Sequence, residues 1–126
     1  MGIDRGKIEA ALAEIRRTGD GGDWSGWADL FAEDGTFINS MLQEPIRGRD
    51  ALRSLTASWP EVVNRVEWMV IDGNRLVIGW NERQAGMRSD APAYRGISTF
   101  VFNDDGLVAS YEGMFDTAAV AAATAP

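Results

Sequence analysis

The chain changes its hydrophobic period once, near Pro60, and that change limits the folds open to it. Before it, apolar residues recur at three- and four-residue steps. After it, β-branched and aromatic residues fill runs broken by turn signals. Upstream, Ile8, Leu12 and Ile15 share a helical face among the helix formers Ala10, Ala11 and Ala13. Gly19-Asp20-Gly21-Gly22 ends that helix, and Asp23 is placed to cap a second one. The second helix carries Trp24, Trp27, Leu30 and Phe31 on one face and closes at Glu33-Asp34-Gly35. A short strand over 36–39 and a loop to Gly48 follow, and then Asp50 is placed to cap a third helix carrying Leu52, Leu55 and Trp59, which Pro60 closes. Downstream, residues 62–71, 75–85, 94–102 and 107–115 read as strands. Asp72-Gly73-Asn74 and Asp104-Asp105-Gly106 supply tight turns, and 86–92 a longer polar loop. The Ala-rich tail over 117–126 has no apolar stripe and is expected to lie loosely. Helices followed by a meander predict a single α+β domain over residues 1–126, with three helices on one face of an antiparallel sheet.

Composition narrows the chemistry. The 126 residues contain no His and no Cys. Disulfides, thiolate nucleophiles, Ser-His-Asp relays and the usual zinc and copper ligands are therefore unavailable. Chemistry must come from carboxylates, Arg, Tyr, amides or hydroxyls, and neither a metal nor a cofactor is expected. Twelve Lys plus Arg against 19 Asp plus Glu give a net charge of -7, with Lys7 the only lysine, which argues against a nucleic-acid partner. No apolar run approaches the roughly 20 residues of a membrane span. The first six residues contain no apolar leader core, so a cytoplasmic protein is expected.

Alternation divides the strands into faces. Val62, Val66, Trp68 and Val70 share one side of the first long strand. In the next, Val77, Gly79, Asn81, Arg83 and Ala85 alternate with Leu76, Ile78, Trp80 and Glu82. The third sets Tyr94, Gly96, Ser98, Phe100 and Phe102 against Arg95, Ile97, Thr99 and Val101; the last sets Tyr111, Gly113 and Phe115 against Ser110, Glu112 and Met114. Neither side is purely polar. Helices covering one face and a second copy of the chain covering the other would account for this, with Arg65, Glu67, Glu82, Arg95 and Glu112 as interface charges. The alternative is a solvated face laced with cross-strand ion pairs.

The stretches Leu30-Phe31-Ala32-Glu33-Asp34-Gly35-Thr36-Phe37 and Glu44-Pro45-Ile46-Arg47-Gly48-Arg49-Asp50-Ala51-Leu52 resemble the nuclear transport factor 2-like superfamily, which includes SnoaL-like polyketide cyclases, ketosteroid isomerases and limonene epoxide hydrolases. The resemblance runs from about Ile8 to Asp116. It implies a cone: a curved sheet wrapped round its helices, an apolar pocket at one end, and usually a homodimer. The isomerase base position matches Asn39, which cannot take a proton, and the oxyanion-hole positions match Ile15 or a neighbour and Ser98. The epoxide hydrolase pattern keeps Asn39 and Arg83, but its two acids fall on Ala85 and Gly113. A one-residue slip would bring Glu112 inward and turn its neighbours over.

Carried onto the strands, the resemblance places Asn39, Asn81, Arg83, Ser98, Tyr94 and Tyr111 in the pocket, walled by Phe37, Val66, Trp68, Phe100 and Phe115 with Trp27 and Trp59. Arg83 would meet Asp29, Glu33 or Asp34, or an anionic or carbonyl group of the ligand. The expected function is binding of a small, mostly apolar organic molecule, with cofactor-free isomerisation, cyclisation, dehydration or hydration if it is turned over. The alternative is a non-catalytic dimeric ligand-binding or accessory domain.

Overall fold

In the computed structural model, which describes residues 4–125, helix α1 (Arg5–Gly19) and the short α2 (Trp24–Ala28) precede strand β1 (Phe31–Asn39). Strand β2 (Ile46–Arg47) and helix α3 (Arg49–Thr56) lead to β3 (Val62–Asp72), β4 (Arg75–Gln84), β5 (Tyr94–Phe102) and β6 (Val108–Phe115), and helix α4 (Thr117–Thr124) ends the chain. The leader reading rests partly on residues 1–3, outside the described range. No helix among the described residues is long and apolar enough to cross a membrane.

The six strands form one open sheet in the order β2-β1-β6-β5-β4-β3. The α+β class holds, but the sheet is mixed rather than antiparallel, because β1 pairs with β6 in parallel. The physical reason is the route of the chain. After β2, α3 carries it to the far edge, and the meander β3-β4-β5-β6 returns beside β1 running the same way.

Ile8, Leu12 and Ile15 of α1, Trp27 of α2 and Leu52 of α3 pack on Leu76, Ile78 and Phe100 of the sheet in one apolar cluster. Trp27 is its hub, with ring centroids 5.0–6.3 Å from Trp24, Phe31, Phe37, Trp59 and Tyr111. The Trp24 indole N–H donates to the Pro60 carbonyl at 2.9 Å, tying the helical half to the point where the period changes.

Helix α2 stops at Ala28 instead of running to Glu33, and strand pairing is the cause. Val108 N donates to the Leu30 carbonyl at 2.9 Å, Phe31 is paired with Val108, and extended backbone begins there. Helix α3 starts two residues earlier than expected: its N-cap is Gly48 (φ 94°), without a side-chain bond, and Asp50 lies in the first turn. The tail expected to be loose is α4. Asp116 caps it by accepting from Ala119 N at 2.9 Å, and Arg88 N donates to the Ala123 carbonyl at 3.0 Å.

Gly35 sits in a register shift between β1 and β6, where the two backbones approach closely. A Cβ there would lie 2.8 Å from the Val108 carbonyl oxygen and 3.1 Å from that of Ala32. Gly35→Ala is therefore expected to cost about 1–3 kcal/mol in urea denaturation, since backbone has to move to relieve the contact. Gly19→Ala, with nothing within 4 Å of the added carbon, is expected to be neutral or slightly stabilising. Equal effects of the two changes would count against this account of Gly35.

Candidate active site

The inner face of the sheet is built in rows that cross the strands. Ile46, Phe37, Tyr111, Phe100, Leu76 and Ile71 are successive register partners from β2 to β3 and form one row. Beside it run Asn39, Gly113, Ser98 and Ile78, then Phe115, Gly96, Trp80 and Val66, and last Tyr94, Glu82 and Asn64. Between these rows and the helices lies a cavity of about 400 Å³. Trp24, Trp27 and Trp59 wall it from the helical side, Val120 from α4, and Met41, which is 65% exposed, marks its open side. Gly96 and Gly113 make room inside. A Cβ on Gly113 would lie 2.5 Å from the Tyr111 hydroxyl, and one on Gly96 would strike the Trp80 ring.

Two polar stations interrupt the apolar wall. In the first, the Trp80 indole N–H donates to Ser98 Oγ at 2.9 Å, and Ser98 Oγ lies 2.7 Å from the Tyr111 hydroxyl. Three donor hydrogens serve two bonds, so one hydroxyl hydrogen of the Ser98–Tyr111 pair is left to donate elsewhere, whichever oxygen carries it. Burial, eased by the Ser98 bond and reinforced by the Glu82 charge, pushes the Tyr111 phenol up to about 12, so it stays protonated near neutrality.

In the second station, the Glu82 carboxylate accepts from Asn64 Nδ2 at 3.0 Å and from the Tyr94 hydroxyl. All three side chains come from one inner-face row of β3, β4 and β5. Burial raises the Glu82 pKa above the ordinary carboxylate range, and the bonds from Tyr94 and Asn64 only partly offset it. Tyr94 is raised too, by burial first and then by the neighbouring carboxylate charge. Among the described residues, Glu82 is the one charged residue on the cavity wall.

Of the residues expected in the pocket, Asn39, Ser98, Tyr94, Tyr111 and Phe37 do line the cavity. Asn39 also serves its own turn, Oδ1 accepting from Met41 N at 2.9 Å. Asn81 and Arg83 do not line it, because β4 has the opposite phase. Leu76, Ile78, Trp80 and Glu82 point inward, while Asn81 pairs with Arg65 and Arg95 on the outer face. The Arg83 guanidinium holds the following loop, donating to the carbonyls of Ala91 and Arg88, and meets none of Asp29, Glu33 or Asp34. Trp68 also departs from expectation. A bulge between Val66 and Trp68 turns its ring outward over Gly79, leaving it 47% exposed. Glu112 is exposed on the outer face and Gly113 is buried, so the slip that would bring Glu112 inward does not occur.

The residues missed at the sequence level are Glu82, Asn64 and Trp80, with Glu82 expected among the interface charges. A signal existed: Leu76, Ile78 and Trp80 are the bulky apolar side chains of β4, and Glu82 shares their phase. Among the described residues, no three acidic side chains gather as a metal site.

A family profile described as a SnoaL-like domain matches residues 12–111. The fold is similar to that of a phenazine biosynthesis-related protein from Pseudomonas aeruginosa, with a TM-score of 0.78 and 17% identity over 95% of this chain and 86% of that one. It is also similar to SalBIII, an epoxide hydrolase/cyclase-like enzyme in pyran ring formation in the polyether salinomycin (TM-score 0.75, 18% identity, covering 91% of this chain and 95% of that one). An LEH-like epoxide hydrolase of M. tuberculosis gives a TM-score of 0.70 at 14% identity, covering 89% of this chain and 84% of that one. No curated protein matches the sequence.

The raised pKa of Glu82 has a consequence for stability. A carboxyl whose folded-state pKa exceeds its unfolded value stabilises the fold most at acid pH, and that contribution is lost as pH rises through the folded value. Glu82→Gln, a neutral isostere, is thus expected to melt within a degree or so of the parent near pH 4 and roughly 2–6 °C above it near pH 8. A difference that does not change with pH in calorimetric melts would contradict the burial of this carboxylate.

Proposed function

The chain belongs to the SnoaL-like domain family, and from that membership we propose that it binds a small, largely apolar organic molecule between the inner sheet face and the helices. The observation that carries this reading is the cavity. Its volume of about 400 Å³ lies within the usual range of small-molecule sites, roughly 300–1,000 Å³, and its walls are apolar apart from a few convergent polar groups. The spare hydroxyl hydrogen of the Ser98–Tyr111 pair is suited to a carbonyl, ether or hydroxyl oxygen of the bound molecule.

A second reading, cofactor-free turnover of that molecule, is favoured by Glu82. A carboxyl with raised proton affinity, facing a largely apolar cavity and held by Tyr94, is the kind of group that serves as a general acid or base. The similarity of the fold to those of an epoxide hydrolase and an enzyme of ring formation is consistent with it.

Titrating the protein with terpenoid, steroid and aromatic compounds while following tryptophan emission tests the first reading, because Trp24, Trp27, Trp59 and Trp80 all border the cavity. A saturable change is expected for some of them. For a ketone compared with its matched hydrocarbon, the Ser98→Ala/Tyr111→Phe double variant is expected to lose preference by roughly 5–30-fold, the value of one buried hydrogen bond. A panel with no saturable response would remove the binding reading, and an unchanged ketone preference would remove the hydroxyl pair from it.

A second copy of the chain over the outer face belongs to the same proposal. Trp68, Ile97 and Met114 lie along one outer row through Gly79, all exposed, with Arg95 and Glu67 in an ion pair of 3.5 Å beside them. Light scattering is expected to give twice the chain mass of 13.7 kDa, and Ile97→Asp with Met114→Asp to halve it. A monomeric parent at micromolar concentration would reject the dimer.

A further inference from the structure

Among the described residues, Glu82 has no counter-ion. Its carboxylate has two partners, Asn64 Nδ2 at 3.0 Å and the Tyr94 hydroxyl, and both are neutral. Neutral donors stabilise a carboxylate without cancelling its charge, and a half-buried charge with no counter-ion is costly. None of the ion pairs among the described residues includes Glu82. The nearest arginine in sequence, Arg83, points to the other face and is held by backbone carbonyls. Asn64 and Tyr94 leave lone pairs on both carboxylate oxygens, so Glu82 can accept a further donor.

The wall around it is aromatic. Trp80, Tyr94 and Phe115 share the inner face with Glu82, and their ring centroids are 5.8–6.2 Å apart. All three rings border the cavity. π-Surface beside a desolvated carboxylate is the arrangement that recognises an organic cation: the rings attract it through their quadrupoles and the acid supplies the counter-charge. The net charge of -7 draws cations toward the molecule and repels anions before contact.

We propose that the cavity selects an organic amine in its protonated form, the ammonium pairing with Glu82 against the Trp80–Tyr94–Phe115 wall and an apolar body filling the remaining volume. This rests on the reading of the cavity as a small-molecule site and specifies the chemical class of its occupant. At the other polar station, the spare hydroxyl hydrogen of Ser98 and Tyr111 meets an acceptor, so a ligand bearing both an amine and an oxygen would satisfy both ends of the site.

The test uses the full chain and three probes of one shape: 2-(1-naphthyl)ethylamine, 2-(1-naphthyl)ethanol and 1-naphthylacetate, titrated by calorimetry at about pH 7.5. The amine is expected to bind roughly tenfold or more tightly than the alcohol, and the carboxylate most weakly. In Glu82→Gln the amine preference over the alcohol is expected to fall to within about threefold, while the alcohol still binds saturably and reports an intact cavity. An alcohol that binds as tightly as the amine would overturn the amine inference and leave the cavity reading standing, as would an amine preference that survives Glu82→Gln. If none of the three probes binds, the cavity reading falls and the inference falls with it.

Discussion

The row of side chains that crosses all six strands, Ile46, Phe37, Tyr111, Phe100, Leu76 and Ile71, is the constraint on which the rest of the structure depends. Because neighbours in such a row must point the same way, it fixes the phase of every strand at once. Once Leu76 is inside, every second residue of β4 follows it, and Glu82 stands in the cavity with Arg83 behind it. The helices then have one apolar surface to cover, and Trp27 anchors them to it through contacts with Phe31, Phe37 and Tyr111.

Two glycines turn this packed row into a site. Gly96 and Gly113 stand where larger side chains would meet the Trp80 ring and the Tyr111 hydroxyl, so the indole and the phenol can converge on Ser98. Ser98 is only 2% exposed, yet every polar atom around it has a partner, and the hydrogen count leaves one donor over. Glu82 is the opposite case: among the described residues it has partners but no counter-charge. A largely buried carboxylate with a raised proton affinity, set on a cavity wall, is the expected signature of a functional group.

Much of the fold was legible beforehand. The long strands begin and end within a residue or so of their expected limits, since β-branched runs and Asp-Gly turns are local signals. The inward sides of β5 and β6 followed from Tyr94, Ser98, Phe100 and Tyr111. The phase of β4 was obscured because both of its faces carry apolar residues, Val77 on one side and Leu76, Ile78 and Trp80 on the other, and the family resemblance gave weight to Arg83. The bulge at Glu67 was not legible at all, since it adds a residue between two runs that each alternate normally. α2 and α4 went wrong in opposite senses. Pairing to Val108 ended one helix early, and contacts with the loop at Arg88 held together a tail with no stripe of its own.

The sequence by itself determined which chemistry was available and which elements would form. A chain without histidine or cysteine has only carboxylates, arginines, phenols, hydroxyls and amides to work with, and its single change of period commits it to helices over a meander. Only the tertiary structure decided the sign of the charge inside. Residue type gives no information on which side of a two-sided strand faces the helices; register with neighbouring strands does, and a shift of one residue exchanges an arginine for a glutamate. In this chain the pairing of Glu82 with Tyr94 and Asn64 resolves it, and a carboxylate, not a guanidinium, stands on the cavity wall.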